Sequence, residues 1–488
     1  MNIISLLDAK RTDKTIFETV GATITRSFSQ QEILGHVGAL SANLLARGVQ
    51  AGDHVLIISK NSVEMIVAFL ATISIGAIAI PLNPTADISP IRRSLEFLSP
   101  VACIHGELRG IAIPQSCSIA ISMESILTLP SAPLVVAELD ASTRAVILFT
   151  SGSSGKPKAI HRTHGVLMNF VQYFIDKFLA DTFTSMSAPH ISVLPFSHIG
   201  GLLDFLDALA INRPLYMIDG FQPNSYLKLA SSVKANTMML IPSMFSLVLK
   251  SKVDYNFSDL KYCFAGGEAC PHHLYDEVER KLGAFIISTY GATECIPGIS
   301  FSNDEKMSAK FKRGSCGRHH YGEVKLIDVD GNEHKSLGEL WVKNATVEKC
   351  YLDEELNESR FHDGWYKTGD VFYRDGDGFM FWRGRVDDMF ICKSGNVYPL
   401  EIEQALLNCD GISAACAVPV SDRLGHTAVG VAVIAAPGVS EVQIISHLSK
   451  LVAPHVIPQV IRFVDHLPTT VTGKVDRSSV QLLVQPSA

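Results

Sequence analysis

Residues 150 to 158 read Thr-Ser-Gly-Ser-Ser-Gly-Lys-Pro-Lys and grow directly out of the apolar run AVILFT. The small residues Ser151, Gly152, Ser153, Ser154 and Gly155 let backbone N–H groups converge on an anion, and the hydroxyls, with that of Thr150, add donors. Lys156 and Lys158 add positive charge. This is chemistry for cradling phosphate. It is not the common P-loop, in which a hydroxyl residue follows the lysine; Pro157 stands there instead. A Ser/Gly surface loop has the same composition, so the loop alone leaves both readings open.

Five further segments carry groups of the right kind. In STYGATE, 288 to 294, Tyr290 could stack on a base, while Thr293 and Glu294 could serve a phosphate and its Mg²⁺, which draws on one or two protein carboxylates. A strand-end turn with an exposed Glu would read the same. Asp370 follows a glycine in YKTGD, where a carboxylate can accept ribose hydroxyls or simply shape the turn. Arg385 lies in RGRVDD, within reach of a nucleotide or part of a charged linker. Lys474 lies in TGKVDR, whose composition fits a mobile loop or a frayed tail. His198 in LPFSHIGGL has Gly200 and Gly201 beside it, which permit close backbone approach to a ligand; a hydrogen-bonded, partly buried His is the alternative. No G-x-S-x-G elbow, HExxH pair or CxxC pair is present.

The elements around these segments alternate. Apolar β-type runs at 54–59, 77–83, 101–105, 145–150, 191–195, 237–242 and 261–267 have helical stretches between several of them, including 271–282 with Pro271 in its first turn. Strand–helix–strand units predict a parallel sheet covered by helices. After about 310 the texture changes to short alternating segments with an Asp-Gly turn at 330–331, which predicts antiparallel hairpins or a small barrel. From Pro399 the order is helix, strand, strand, helix. The expected architecture is a large α/β domain over 1–384, with helix-flanked sheets and a small β-barrel-like subdomain, and a small mobile α+β domain over 385–488.

Composition narrows the class. A chain of 488 residues exceeds one ordinary core. With 42 basic and 49 acidic residues and no basic run, it offers no concentrated patch for nucleic acid. Ten cysteines without a CxxC pair fit reduced thiols in a cytoplasmic protein. The nearly uncharged stretch 65–83 approaches the length of a membrane span. Its division at Gly76 and the β-rich sequence that follows predict a buried helix and a buried strand instead.

Taken together and in this order, GDHVLIISKNSVEMIVAFLATISIGAIAIPLNP, TSGSSGKPKAIHRTH, LPFSHIGG, AGGEA, STYGATE, YKTGD, GRVDDMFICKSGNVYPLEIE and LPTTVTGKVDR resemble the adenylate-forming superfamily of acyl-CoA synthetases, peptide-synthetase adenylation domains and luciferases. The resemblance covers essentially the whole chain. It implies two half-reactions: a carboxylate attacks the α-phosphate of ATP to give acyl-AMP and pyrophosphate, and a thiol then displaces AMP to give a thioester. It implies that Thr150 to Gly155 and Lys158 hold the phosphates, and that the backbone of Gly267, Glu268 and Ala269 lines the nucleotide pocket. Tyr290 would pack on adenine within Tyr290-Gly291-Ala292, Thr293 would bind the α-phosphate, Glu294 would hold Mg²⁺, Asp370 would take the ribose with Arg385 beside it, and His198 would serve near the acid. Asp387 matches the hinge and Lys474 the catalytic lysine. Three positions depart from the pattern: paired serines 153 and 154 replace the commoner threonines, Ala159 replaces a glycine, and Ser288 replaces an amide, which leaves the adenine amine without an assigned reader.

No F-D pair occurs in PFSHIGGLLDF, and Asp204 stands in the wrong register to hold an amine, so an α-amino acid is disfavoured. The apolar surroundings of His198 point to a fatty or aryl acid. Coenzyme A is the expected thiol, with a carrier-protein phosphopantetheine arm as the alternative. The resemblance implies a monomer or homodimer. An ordinary NTPase and a catalytically silent protein of the same fold are the readings of other classes; retention of Glu294 and Lys474 argues against the silent one.

Overall fold

The computed structural model describes residues 2–7, 10–85, 88–150, 158–176, 188–218, 220–252, 256–299, 312–319, 321–393, 395–421, 426–468 and 475–485. A six-stranded sheet runs in the order Ile119–Ser122, Ala102–His105, His54–Ile58, Ile78–Leu82, Arg144–Thr150, Lys158–Thr163. Its first five strands are parallel and the sixth is antiparallel. The central strands are buried on both faces, which explains their continuous Val, Ile, Leu and Ala content.

The apolar stretch 65–83 divides as its sequence predicts. Ser62 caps helix Val63–Ser74 by accepting a hydrogen bond from the N–H of Met65, and every residue of that helix except Glu64 is buried. Gly76 then takes φ +81°, a left-handed turn that needs no side chain, before strand Ile78–Leu82. No helix among the described residues is long and apolar enough to cross a membrane.

A second sheet orders Thr23–Ser29, Lys14–Val20, Leu215–Ile218 and His190–Ser192; a third, parallel throughout, orders Thr237–Leu240, Tyr262–Ala265 and Phe285–Ser288. Helix His272–Leu282 packs beside the third sheet. Pro271 is its N-cap residue and not, as the sequence suggests, part of its first turn.

The antiparallel region expected to be barrel-like is an open sheet in the order Glu333–His334, Glu323–Ile327, Leu337–Lys343, Trp365–Arg374. Strand Trp365–Arg374 is long enough to serve two partners along its far side. Its beginning pairs with Phe361–His362 and its end with Met380–Arg385, and no pairing among the described residues joins these to the opposite edge. The remaining three-stranded sheet, Ile412–Ser421, Thr427–Ala435 and Val460–Phe463, packs with helices Pro399–Leu407, Glu441–Leu448 and Arg477–Val484. The described cores divide accordingly. One set of buried apolar clusters ends at Met380 and the other begins at Cys392, giving a large N-terminal and a small C-terminal domain.

Candidate active site

The phosphate-loop residues Ser151 to Gly155 lie outside the described residues, but both ends of the loop are placed. Thr150 and Lys158 are cross-strand partners at the end of an antiparallel pair. Strand Lys158–Thr163 is tied on its other side to the segment around Tyr351: the N–H of His161 donates to Cys350 O at 2.8 Å, and the N–H of Leu352 donates to Ala159 O at 3.1 Å.

That pairing brings Glu294 into the same place. Thr293 and Glu294 are the two central residues of the hairpin formed by Tyr290–Ala292 and Cys295–Ile299, and both are buried. A carboxylate in a two-residue turn is ordinarily solvated. Here Tyr351 covers it, its hydroxyl donating to Glu294 Oε1 at 2.5 Å. Lys158 Nζ lies over the same tyrosine ring, 5.5 Å from its centroid. The main chain of the turn is fixed by Arg162, which is 1% exposed and donates from Nη1 to Glu294 O at 3.4 Å and from Nη2 to Thr346 O. Burial lowers the Lys158 pKa, and the positive charge of Arg360 and then Arg385 lowers it further against the opposing pull of Glu294 and Asp387.

Asp370 sits in the long strand Trp365–Arg374 opposite Arg385. Its carboxylate accepts from Tyr290 Oη at 2.6 Å and from Trp382 Nε1 at 3.0 Å, with Arg385 Nη1 at 3.5 Å. Burial raises the Asp370 pKa, and Arg385 opposes the rise. The Tyr290 ring meets Phe372 edge-on at 4.8 Å, so in this state it is anchored through its hydroxyl to the carboxylate expected to meet the ribose. Gly291 is exposed and Ala292 half-buried beside it.

Gly267 follows strand Tyr262–Ala265 with φ +79°, which a glycine alone adopts freely. Glu268 accepts from the N–H and hydroxyl of Ser243, both at 3.1 Å, and Ala269 is half-buried. Ser288 is committed to a buried 2.5 Å hydrogen bond with Tyr275 Oη.

His198 is exposed at the N-cap of helix Ile199–Ala210. Ile199 and Leu203, one turn apart on that helix, face Val166, Leu167 and Phe170 of helix His164–Phe174 across a narrow apolar cleft, which Arg162 and Ile296 complete. Gly201 lets this helix pack against the segment that leads into it: a Cβ there would stand 2.3 Å from Pro195 O. Asp204 points elsewhere, into a buried contact with His190 Nε2 at 2.5 Å. Lys474 lies outside the described residues.

Residues 8–352 match the AMP-binding enzyme family, and residues 401–474 match the AMP-binding enzyme C-terminal domain. The chain belongs to the AMP-binding enzyme family. It is 27% identical to 4-coumarate–CoA ligase-like 8 of Arabidopsis thaliana, over 89% of this chain and 83% of that protein. It is also 27% identical to the medium/long-chain-fatty-acid–[acyl-carrier-protein] ligase FadD10 of Mycobacterium tuberculosis, over 93% of this chain and 90% of that one. Among solved structures it is similar to the anthranilate CoA ligase AuaEII in complex with anthranoyl-AMP, with a TM-score of 0.88, 21% identity and coverage of 99% and 97%. As an AMP-binding enzyme of this adenylate-forming group it is an acid–thiol ligase.

An AMP-binding enzyme needs a carboxylate for the Mg²⁺ that accompanies its nucleotide. Among the described residues no three His, Cys, Asp or Glu side chains are grouped to cage a metal. A phosphate-borne Mg²⁺ does not require such a cage, because phosphates and water supply most of its ligands, and the buried Glu294 carboxylate fits that need.

Sequence reading missed Arg162, Tyr351, Arg360 and Trp382. Arg162 left a usable signal. It shares a strand face with Ile160, so period-two alternation places a cation where a core residue belongs. Tyr351 left none, since its role comes from a bridge to Ile160 far away in sequence.

Proposed function

We propose that the protein activates a carboxylic acid with ATP, forming acyl-AMP and pyrophosphate, and then transfers the acyl group to the thiol of coenzyme A. The observation that carries this reading is convergence: Lys158, Glu294 and the cross-strand pair of Asp370 and Arg385 come from three distant segments and act on one another electrostatically, beside an apolar cleft that shares Arg162 with them. Anion attacking anion is opposed by like charge. Thr150, the loop to Lys158 and Thr293 would hold the phosphates, Asp370 the ribose, and Arg385 the region between. Glu294 would hold Mg²⁺, which when bound neutralises charge on the phosphoryl oxygens. Lys474, brought in by the small domain, would add a cation in the first half-reaction and withdraw for the second.

The hinge is proposed at Asp387, with the domains meeting at 384/385. Consecutive carboxylates there are held from opposite sides: Asp387 pairs with Arg360 of the large domain at 3.8 Å, and Asp388 with Arg477 of the small domain at 3.7 Å.

The acid would be fatty or aryl. A narrow cleft lined mainly by Val, Leu, Ile and Phe side chains suits an apolar group. The burial of Asp204 against His190 removes the nearest carboxylate from the role of binding a substrate amine. Coenzyme A is the thiol in the names of several relatives, and FadD10 supports a carrier-protein arm as the alternative acceptor. A panel of fatty, aryl and amino acids in a pyrophosphate-release assay, with and without coenzyme A, tests the reading. Acid-dependent pyrophosphate with thiol-dependent AMP is expected. Release of orthophosphate, or no response to any acid, would count against it.

A further inference from the structure

Two guanidinium groups crowd the same glycine. Gly369, at φ +75°, carries Arg385 Nη2 and Arg360 Nη1 against one face, 2.7 and 2.9 Å from where a Cβ would stand. Lys158 feels the charge of both. Three cations are gathered in a partly buried site beside the carboxylates of Glu294, Asp370 and Asp387, so the geometry of those pairs decides how much donor capacity is left over.

The groups at hand satisfy them poorly. Arg360 has its ion pair to Asp387 at 3.8 Å, too long for a hydrogen bond. Arg385 reaches Asp370 only at 3.5 Å and Thr368 O at 3.4 Å, and its Nε is buried without a hydrogen-bond partner among the described residues. Asp370 takes its shorter hydrogen bonds from Tyr290 and Trp382. The cations therefore keep fork-shaped donor capacity of the kind that matches phosphate oxygens.

Position then selects the phosphate. The inference rests on the reading of Asp370 as the ribose acceptor. In a nucleotide, the group bonded to the ribose 5′ position is the α-phosphate, and Arg360 and Arg385 stand next to Asp370.

We propose that Arg360, with Arg385, forms a binding site for the nucleotide α-phosphate, so that Arg360 contacts substrate in the first half-reaction and AMP after the second. Arg360 ends helix Glu354–Arg360 and belongs to none of the motifs on which the family resemblance rests.

The test is calorimetric titration of the full-length protein and its Arg360→Gln and Arg360→Lys variants with ATP, AMP, adenosine and coenzyme A in Mg²⁺ buffer. Arg360→Gln should weaken ATP and AMP by about ten- to a hundredfold, the range for losing a charge-assisted hydrogen bond. Adenosine and coenzyme A should bind unchanged, and Arg360→Lys should recover part of the loss. Unchanged ATP and AMP affinity overturns the proposal and spares the wider reading of the site. Equal weakening of adenosine overturns it by showing that Arg360 shapes the pocket only. A loss confined to coenzyme A also overturns it. A wild-type protein that binds no ATP defeats the proposed function and this inference with it. Should Arg360→Gln fail to fold, the lysine variant carries the test: ATP affinity equal to wild type overturns the proposal.

Discussion

The two sides of the candidate site are built from different material. The nucleotide side is polar and drawn from distant segments: Lys158, Glu294, Tyr351, Asp370, Trp382 and Arg385 interlock through hydrogen bonds and charge. The side proposed for the acid is apolar and comes largely from two helices, with Ile199 and Leu203 facing Val166, Leu167 and Phe170. Charge chemistry on the first side demands particular residue types at particular points. Exclusion of water on the second demands only volume. Reaction type should therefore follow the first region, and choice of acid the second.

The largest expected effect tests this division on the nucleotide side. Lys474→Ala should lower acid-dependent pyrophosphate release by ~10²-fold or more, the scale of one strong transition-state contact, while thioester formation from supplied acyl-AMP is largely spared. Comparable losses in both half-reactions would remove Lys474 from its role. On the acid side, Leu203→Phe should shift kcat/KM toward smaller acids by roughly tenfold or more, since one methylene is worth about 1–3 kcal/mol, with the KM for ATP unchanged. A matching change for ATP would mean that the two regions are not separable.

A smaller effect is expected at the seam. Tyr351→Phe deletes the donor to Glu294 and should cost about 0.5–1.5 kcal/mol of ground-state order, read as a several-fold higher Mg²⁺ requirement for ATP binding in calorimetry. An unaltered requirement would show that the hydroxyl only fills space. The smallest effect at neutral pH is expected from two histidines that flank Arg162 in the sequence. His161 and His164 are buried, and burial lowers both pKa values from 6.5 to about 4. The unfolded chain then binds more protons between those values. Stability should thus hold above pH 6.5 and fall as pH drops toward 4, by about 3 kcal/mol for each histidine. Denaturant unfolding across that range checks it. His164→Gln should flatten the acid limb, and an unchanged pH slope would remove this account.

The difference also explains what could be read in advance. Parallel strands such as His54–Ile58 and Ile78–Leu82 are legible because burial on both faces leaves an uninterrupted apolar run. Glu294 is legible because its neighbours mark a turn, whereas Asp370 lies within strand Trp365–Arg374 and not in the turn that its preceding glycine suggests. The open antiparallel sheet was not, because closure depends on which edge strands meet and not on the alternation within each. Tyr351 and Arg360 were not, because their partners are set by chain crossings. The acid cleft was not, because Leu203 differs from any other buried leucine only in what faces it.

The bond from Trp382 to Asp370 has an optical consequence. The chain contains three tryptophans; Trp341 and Trp365 share the ammonium of Lys325, and Trp382 alone of the three hydrogen-bonds to Asp370. A ribose that claims this carboxylate must loosen or replace its tie to the indole and so alter that chromophore's surroundings. With Asp370 as the proposed ribose acceptor, Trp382 fluorescence is expected to change on nucleotide binding and to report occupancy without a label.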